Sequence, residues 1–299
     1  MHRNRRQILG WIAVGISTAI TCLWAFWGIV ENFHEAWYYS SLLSNLGLMF
    51  AQYLSPMLIF LAVTLVSITW PRAGAALHGI LALGVAWFFE AWTNTVLLLL
   101  MLPLIGLGAL HWFGRPRPRK LATALAVALP LLTLLLAGTG PALRVSQRLD
   151  DGDLGARLVQ GNGVELVWAP DGPGWPREGT DWYEATRACA YLRDDGLSLA
   201  ATAQNIWRLP TVDEAVRSVA RHGENCGGVW DAERAGATYG TKPDKESPLW
   251  NPHSQVIYWW TATEVDQEHA YIIVYDGKVW PRAKDFGPAY LGYRCVRQP

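Results

Sequence analysis

Charged residues are scarce in the first half of this 299-residue chain. No lysine or arginine lies between Arg6 and Arg72, or between Arg72 and Arg115. Residues 1–140 contain three acidic residues, which are Glu31, Glu35 and Glu90. Uncharged apolar runs of this length are typical of membrane-spanning segments. The first half is therefore predicted to be embedded in a membrane.

The sequence also lacks the short motifs of several common chemistries. It has no EF-hand spacing, no HxxxH pair, no glycine-rich phosphate loop and no serine nucleophile elbow. Eight basic and three acidic residues give residues 1–140 a net charge of +5, which leaves −5 for the remainder. Phosphate binding needs a net basic face, so an acidic second half argues against nucleic acid as a partner.

The basic segment Gly114–Lys120, with sequence GRPRPRK, separates two long apolar runs. A short basic loop beside membrane spans stays on the cytoplasmic side. The residues Met1–Arg6 form a second basic group, which predicts a cytoplasmic N-terminus. A cleaved signal peptide is the alternative, but the apolar run that follows is long for one and no small-x-small cleavage site precedes the polar loop.

The apolar runs predict an all-α transmembrane bundle of five helices within residues 1–140. The predicted spans are 8–30, 46–70, 73–89, 95–113 and 121–138. From a cytoplasmic N-terminus, five crossings place the C-terminal half in the periplasm or outside the cell. The chain is accordingly predicted to be a multi-pass protein of the cytoplasmic membrane, with the lipid bilayer as one partner and other membrane subunits as an open alternative.

Three acidic or histidine side chains near the first predicted outer loop allow two interpretations. Glu31, His34 and Glu35 could share one helical face and bind a metal ion, but a solvated face at the membrane interface is far more common. Glu90 is similarly interpreted either as an interfacial anchor or as a buried functional carboxylate. Cys22 is expected to be a small packing residue in the first span.

The second half is predicted to be a connector, residues 141–163, followed by a soluble α+β domain, residues 164–299. Val164–Trp168 alternates as a strand does, and helices are predicted from capping boxes at Asp181/Glu184 and Thr211/Glu214. The second helix is expected to end at Arg221–Gly223. After a long loop, the remaining strands are predicted at Gln255–Thr263, Ala270–Tyr275, Lys278–Trp280 and Tyr290–Arg297, with a hairpin turn at Asp276–Gly277.

Several motifs of this half occur in one order. They are Asp181–Trp182 with Cys189 in the following helix, Trp207–Thr211 with Glu214, Tyr258–Thr263, and Gly292–Arg297. Together they resemble the collagen-like-protein C-terminal (Lcl-C) domain family and, more distantly, the formylglycine-generating-enzyme family. The resemblance covers about residues 164–297. It implies a C-type-lectin-like fold, in which two helices flank a small twisted sheet and long loops present a binding surface.

The resemblance also bears on the cysteines. The related enzymes bind copper with a nearby pair of cysteines, and Cys189, Cys226 and Cys295 are far apart in this sequence, so the oxidase activity is not expected. Domains of this fold often tie the first helix to the last strand, which implies a Cys189–Cys295 disulfide. An all-reduced state, or a bridge that uses Cys226, remains the alternative in an oxidising compartment.

The expected recognition face combines the long loop Glu224–His253 with the following aromatic strand. Aromatic side chains at a surface often mark binding. The candidate binding residues are Trp230, Trp250, Tyr258, Trp259, Trp260 and Trp280. No cofactor is predicted. Calcium is kept as an alternative at Asp231, Asp244, Glu246, Glu264 and Asp266, although ordinary loop acids are the more common case.

These observations predict a membrane protein that displays a non-enzymatic binding or sensing domain for an extracytoplasmic glycan, peptide or protein. One alternative is a diverged enzyme of the formylglycine-generating-enzyme superfamily, with its active site at Cys226 and neighbouring acids. Another is a structural subunit of a membrane complex, in which the outer domain only covers the bundle.

Overall fold

The computed structural model describes residues 2–89 and 95–299, and the side chains of residues 4–89 and 99–299. The predicted roles of Glu90 lie outside the described residues. The chain divides into two compact units. The N-terminal unit comprises Met1–Ala36 and Ser41–Leu143, and the C-terminal unit comprises Trp37–Ser40 and Arg144–Pro299.

The N-terminal unit is helical. Its elements in chain order are α1 (His2–Glu35), α2 (Leu42–Leu48), a π-helical segment (Met49–Tyr53), α3 (Ser55–Thr69), α4 (Pro71–Phe88), α5 (Thr95–Phe113) and α6 (Arg119–Ser146). Val14 of α1, Ile68 of α3 and Ala122 and Ala126 of α6 pack into one buried cluster. Small residues let these helices approach closely, as is common between helices in membranes.

The prediction of five transmembrane helices is wrong. In the described part of the chain, α1 (over Asn4–Glu35) and α6 are long and apolar enough to cross a membrane. Leu42–Tyr53, which contains α2 and the π-helical segment, is bent by 60° relative to α3. Together they add a third crossing if they form one broken span. α4 is not among these candidate spans, and the apolar stretch Leu99–Phe113 of α5 is shorter than the roughly 20 residues that a span needs.

The C-terminal unit combines two short helices with small sheets. Its strands are β1 (Arg157–Gly161), β2 (Val164–Trp168), β3 (Ala220–Arg221), β4 (Glu224–Asn225), β5 (Val229–Asp231), β6 (Gly236–Thr238), β7 (Tyr258–Glu264), β8 (His269–Val274), β9 (Val279–Ala283), β10 (Leu291–Gly292) and β11 (Val296–Arg297). The helices α7 (Trp182–Tyr191) and α8 (Val212–Ser218) lie between β2 and β3 in the chain. β1 falls inside the predicted connector 141–163.

The main sheet has the order β10-β7-β8-β9, in which only β10 is parallel to its neighbour. A second sheet has the order β1-β2-β11 and is antiparallel. The predicted final strand is therefore two strands, because Tyr293–Cys295 carries the chain from one sheet to the other. One continuous hydrophobic core contains side chains from both sheets and both helices.

Local capping follows the sequence closely at both helix starts. The Asp181 side chain accepts a 2.8 Å hydrogen bond from the backbone N–H of Glu184, and Thr211 and Glu214 form a complete capping box. The Glu184 side chain bonds Arg187 rather than returning to the cap. The predicted end of α8 is wrong: the helix stops at Ser218, and the residues that follow form the hairpin of β3 and β4.

Candidate functional site

Four of the six predicted binding residues lie in the hydrophobic core. Trp250, Tyr258, Trp259 and Trp260 each expose at most 8% of their surface. Trp250 stacks on Trp259 with ring centroids 3.7 Å apart. The indole N–H of Trp260 donates a 2.8 Å hydrogen bond to the carbonyl of Thr180. Both faces of β7 are covered, so these four side chains form no surface on which a ligand could stack.

The other two predicted residues, Trp230 and Trp280, are half-buried. Trp230 of β5 meets the ring of Tyr271 edge to face, with centroids 5.3 Å apart. Trp280 of β9 lies 5.9 Å from the ring of Tyr258, which also contacts Tyr290. Tyr290 is exposed. Trp280 thus belongs to an aromatic group that extends from the core to solvent.

Arg282 follows Trp280 by two residues, so both side chains lie on the same face of β9. The Arg282 guanidinium lies 5.3 Å from the ring centroid of Phe286, which is exposed. An open depression of about 450 Å³ beside them is lined by His269, Pro281, Arg282, Ala283, Asp285 and Phe286. We name Trp280, Arg282, Asp285, Phe286 and Tyr290 the β9 surface. A guanidinium, a carboxylate and exposed rings can bind a polar ligand by hydrogen bonds and stacking.

Two of the acids considered for calcium are buried in an ionic network. Asp244 contacts the guanidinium of Arg148 at 2.9 Å and that of Arg221 at 2.7 Å. Glu246 accepts hydrogen bonds from the backbone N–H groups of Leu149, at 3.0 Å, and His222. Both carboxylates are therefore used to attach the long loop to other segments of the C-terminal unit.

Lys245 lies between these two acids in sequence and is also buried. Its Nζ donates a hydrogen bond to the carbonyl of Ser254. Burial, followed by repulsion from Arg148, lowers the pKa of Lys245 well below its usual range, and Asp244 opposes this shift. A lysine with a lowered pKa is a frequent catalytic group, but a side chain only 1% exposed offers its amine to no substrate in this conformation.

The remaining candidate calcium ligands are paired separately. Asp231 contacts Arg234 at 3.6 Å, Glu264 contacts Lys284 at 2.5 Å, and the third, Asp266, contacts His269 at 3.0 Å. Within the described ranges, no three His, Cys, Asp or Glu side chains are arranged to hold a metal ion, and this applies to Glu31, His34 and Glu35 as well. The five acids considered for calcium do not come together in one site.

The disulfide between Cys189 and Cys295 is present, with Cα atoms 5.6 Å apart. It joins α7 to the segment just before β11, and this pairing confirms the one that the resemblance implies. The bridge closes a sequence separation of 106 residues. It therefore connects the first helix of the C-terminal unit to the last part of the chain.

Cys226, proposed above as the nucleophile of a diverged enzyme, is a buried free thiol. Burial, followed by the nearby charge of Glu246, raises its pKa to about 11, while Arg221 acts in the opposite direction. The thiolate is the nucleophilic form of cysteine. A buried thiol with a raised pKa is suited to packing, so the geometry gives no support to catalysis at Cys226.

The most specific motif of the resemblance, Arg208–Glu214, has a structural role. The Arg208 guanidinium makes two hydrogen bonds to the Glu214 carboxylate, at 2.6 and 2.7 Å. The backbone of Arg208 pairs with Val296 of β11. The same Glu214 closes the capping box with Thr211. The motif therefore fixes the start of α8 against the last strand.

Arg294 is a buried residue whose guanidinium joins several loops by hydrogen bonds, and the sequence alone indicated no such role. It is fully buried, and its guanidinium donates to the carbonyls of Ala169 at 2.8 Å and Leu249 at 2.6 Å, with longer bonds to Pro248 and Gly155. It also stacks on Trp175, with its central carbon 3.6 Å from the ring centroid. Burial is the main cause of the lowered pKa of Arg294.

A buried polar group in the N-terminal unit was also missed. His78 of α4 and His111 of α5 are both buried, and their rings stack with centroids 5.4 Å apart. The Nε2 atom of His111 lies 3.0 Å from the Ser17 hydroxyl, and Nδ1 of His78 lies 2.8 Å from the carbonyl of Gly74. Nε2 of His78 has no hydrogen-bond partner among the described residues. Isolated histidines in apolar runs were the signal that could have located this group.

Comparison of the chain with models of known protein families finds no match. Comparison with curated proteins finds none either.

Proposed function

We propose that the N-terminal unit anchors the chain in a cytoplasmic membrane and that the C-terminal unit is an extracytoplasmic, C-type-lectin-like domain that binds a ligand without transforming it. The observation that carries this proposal is the β9 surface, where the half-buried Arg282 and the exposed Asp285 and Phe286 line one open depression. Such a combination of cation, carboxylate and ring suits a glycan, a peptide or a protein segment.

The use of the other reactive groups favours binding over catalysis. Lys245 and Cys226 are buried, and the carboxylates of Asp244 and Glu246 are occupied by arginines and backbone N–H groups. A general acid, base or nucleophile must come within hydrogen-bond reach of its substrate. These four groups therefore serve stability, and the accessible polar groups of the β9 surface serve recognition.

The direction of the helices supports the proposed side of the membrane. Trp11 and Val14 of α1 pack near the start of α6, whereas Gly138, late in α6, lies against Ile29 of α1. α1 and α6 are thus parallel. α3 runs in the opposite direction, because its last turns pack against Val14 while the carbonyl of Tyr53, just before α3, approaches Gly28.

α4 and α5 form a pair that begins and ends at the same end of the unit. They therefore do not change the side of the membrane from which α6 starts. Arg72, near the start of α4, lies 5.9 Å from the ring of Trp112, near the end of α5. The same end contains Arg6 and Arg115, which by the positive-inside rule favours the cytoplasm. With α2 and α3 as one broken span that returns to the cytoplasm, α6 then leads away from it, and the Cys189–Cys295 disulfide suits the oxidising compartment that α6 reaches.

Ligand binding is tested with the full chain in lipid nanodiscs on glycan and peptide arrays. The variants Arg282→Ala and Phe286→Ala are compared with Arg187→Ala, which removes an exposed arginine from α7. Arginine and aromatic side chains often carry most of the affinity of a surface, so we expect more than about tenfold weaker capture for the first two. Equal capture by all four proteins, or no capture by the wild type, contradicts the proposal.

The side of the membrane is tested with a tag at Pro299. We expect an impermeant reagent to label the tag in intact spheroplasts. A tag at Met1 provides the control, because it should be labelled only after the membrane is opened. Protection of the Pro299 tag would reject the extracytoplasmic position.

A further inference from the structure

The basic end of the N-terminal unit is formed by the start of α1, the start of α4 and the loop between α5 and α6. The backbone N–H of Arg115 donates a 2.7 Å hydrogen bond to the carbonyl of Arg6. Gln7 and the indole of Trp11 each donate to the carbonyl of Arg117 at 3.0 Å. The loop between α5 and α6 is thereby held against the first turns of α1.

One basic side chain at this end, that of Arg115, has a structural role. The Arg115 guanidinium donates to the carbonyls of Gly114 at 2.7 Å and Trp112 at 3.0 Å, which caps the end of α5. Burial, and then the charges of Arg119, Arg6 and Arg72, lower the pKa of Arg115. The charges of Arg119, Arg6 and Arg72 are therefore close enough to act on the Arg115 guanidinium.

Basic charge at this end has little acidic charge to balance it. The acidic residues of the first 149 positions are Glu31, Glu35 and Glu90. Glu31 and Glu35 belong to the last two turns of α1, whereas Arg6 belongs to its start. Glu90 lies outside the described residues. Arg6, Arg72, Arg117, Arg119 and Lys120 are all exposed.

Exposed aromatic and apolar side chains lie next to these charges. Trp70 precedes Arg72 in the chain, and Trp112 and Phe113 precede the loop; each of the three rings is exposed. Tryptophan is enriched at membrane interfaces because an indole has an apolar body and a polar N–H. Leu121, in the first turn of α6, is exposed as well. Cations beside apolar surface match a phosphate headgroup that is attached to acyl chains.

We propose that this basic end, formed by Arg72, Arg117, Arg119 and Lys120 with Trp112, is a binding site for an anionic phospholipid headgroup of the cytoplasmic leaflet. The exposed guanidinium groups of Arg117 and Arg119 bind the phosphate, since arginine matches its geometry. The N-terminus of α6, which begins at Arg119, adds favourable dipole charge. The site rests on the membrane embedding proposed above, but not on ligand binding by the C-terminal unit.

The experiment uses the purified full chain in nanodiscs of phosphatidylcholine that contain a minor fraction of phosphatidylglycerol. Native mass spectrometry counts the lipids that remain bound after release from the disc. We expect phosphatidylglycerol to be retained in preference to phosphatidylcholine. The double variant Arg117→Gln/Arg119→Gln should bind it roughly 25-fold more weakly, because each basic residue near a membrane surface contributes about fivefold in affinity.

Two further variants make this comparison specific. Arg144→Gln removes an exposed arginine from the opposite end of the same helix and should retain phosphatidylglycerol like the wild type. Arg117→Lys/Arg119→Lys keeps both charges but loses the paired N–H groups of arginine, so it should bind more tightly than the double glutamine variant and more weakly than the wild type, which separates loss of charge from misfolding. Equal retention of the two lipids by the wild type, full retention by the double glutamine variant, or an equal loss in Arg144→Gln overturns the proposal.

Inorganic phosphate, added at the concentration of the phosphatidylglycerol, tests the source of the phosphate group. It should displace little of the lipid, because it brings no acyl chains to the apolar surface. Complete displacement overturns the assignment to a lipid. Nanodiscs expose both leaflets, so this result does not depend on the side of the membrane, and labelling of the Pro299 tag in the same variants reports separately on the proposed topology.

Discussion

Gly10 of α1 lies directly against Gly114 at the end of α5. A Cβ atom on Gly114 would come within 2.6 Å of the Gly10 backbone nitrogen, and a Cβ on Gly10 would come within 2.3 Å of the backbone nitrogen of Pro116. Only residues without a side chain allow this approach. The contact lets the loop between α5 and α6 reach the hydrogen-bonding groups of Arg6 and Trp11.

Substitution Gly10→Ala should therefore separate the loop from α1. The clash is with backbone atoms, so no side-chain rotation relieves it, and we expect a loss of about 1–3 kcal/mol in unfolding free energy. Gly15→Ala is the matched control, since a Cβ at Gly15 meets nothing within 4 Å. Thermal unfolding of the full chain in detergent, followed by tryptophan fluorescence, measures both. Equal melting temperatures for the two variants would refute the close packing.

Removal of the Arg294 guanidinium should destabilise the C-terminal unit. Arg294→Met keeps much of the side-chain volume but leaves the carbonyls of Ala169 and Leu249 buried without their partner. Each unpaired buried carbonyl costs about 1–3 kcal/mol, so a loss of roughly 2–6 kcal/mol is expected for the two. Arg234→Met, at a side chain 87% exposed, should change stability by less than about 0.5 kcal/mol. Denaturant unfolding at fixed pH compares the two.

The local parts of this fold could be predicted because the signals lie within a few residues of one another. The caps at Asp181 and Thr211 and the turn at Asp276–Gly277 depend on side chains close in sequence. Arg294 illustrates the opposite case. Its partners lie up to 139 residues away, and nothing in a Gly-Tyr-Arg-Cys sequence indicates which carbonyls a buried guanidinium will meet.

Aromatic side chains show the same difference at the candidate site. A tryptophan can be core or surface, and the sequence Tyr258–Trp260 does not reveal that both faces of its strand are covered. An alternation of polar and apolar residues would have distinguished the two faces of the strand only if one face were exposed to solvent. Arg282 and Phe286, by contrast, were not selected because neither belongs to an aromatic cluster in the sequence. Their proximity results from the turn that follows β9.

Reduction of the Cys189–Cys295 disulfide should lower stability substantially. A closed loop of about a hundred residues stabilises by about 4–5 kcal/mol in the chain-entropy description. Alkylation of the denatured chain provides the assay: two groups should be added per chain without reductant, at Cys22 and Cys226, and four after reduction. Cys189→Ser should unfold at a lower denaturant concentration than Cys226→Ser. Four groups added without reductant would show that the bridge does not form.

The thiol of Cys226 should make the C-terminal unit less stable at alkaline pH. Its pKa in the folded chain is raised to about 11 from an ordinary value near 9, mainly by burial, so the folded state holds the proton more tightly than the unfolded state. This stabilisation is complete below about pH 9 and is lost as the pH rises towards 11.

Denaturant unfolding of the wild type and of Cys226→Ser at pH 8 and at pH 10.5 isolates the contribution of this one group. The difference in unfolding free energy between the two proteins should shift against the wild type at the higher pH, because only the wild type must bury a group that ionises there. An unchanged difference would mean that the thiol is accessible to water, and catalysis at Cys226 would then have to be reconsidered.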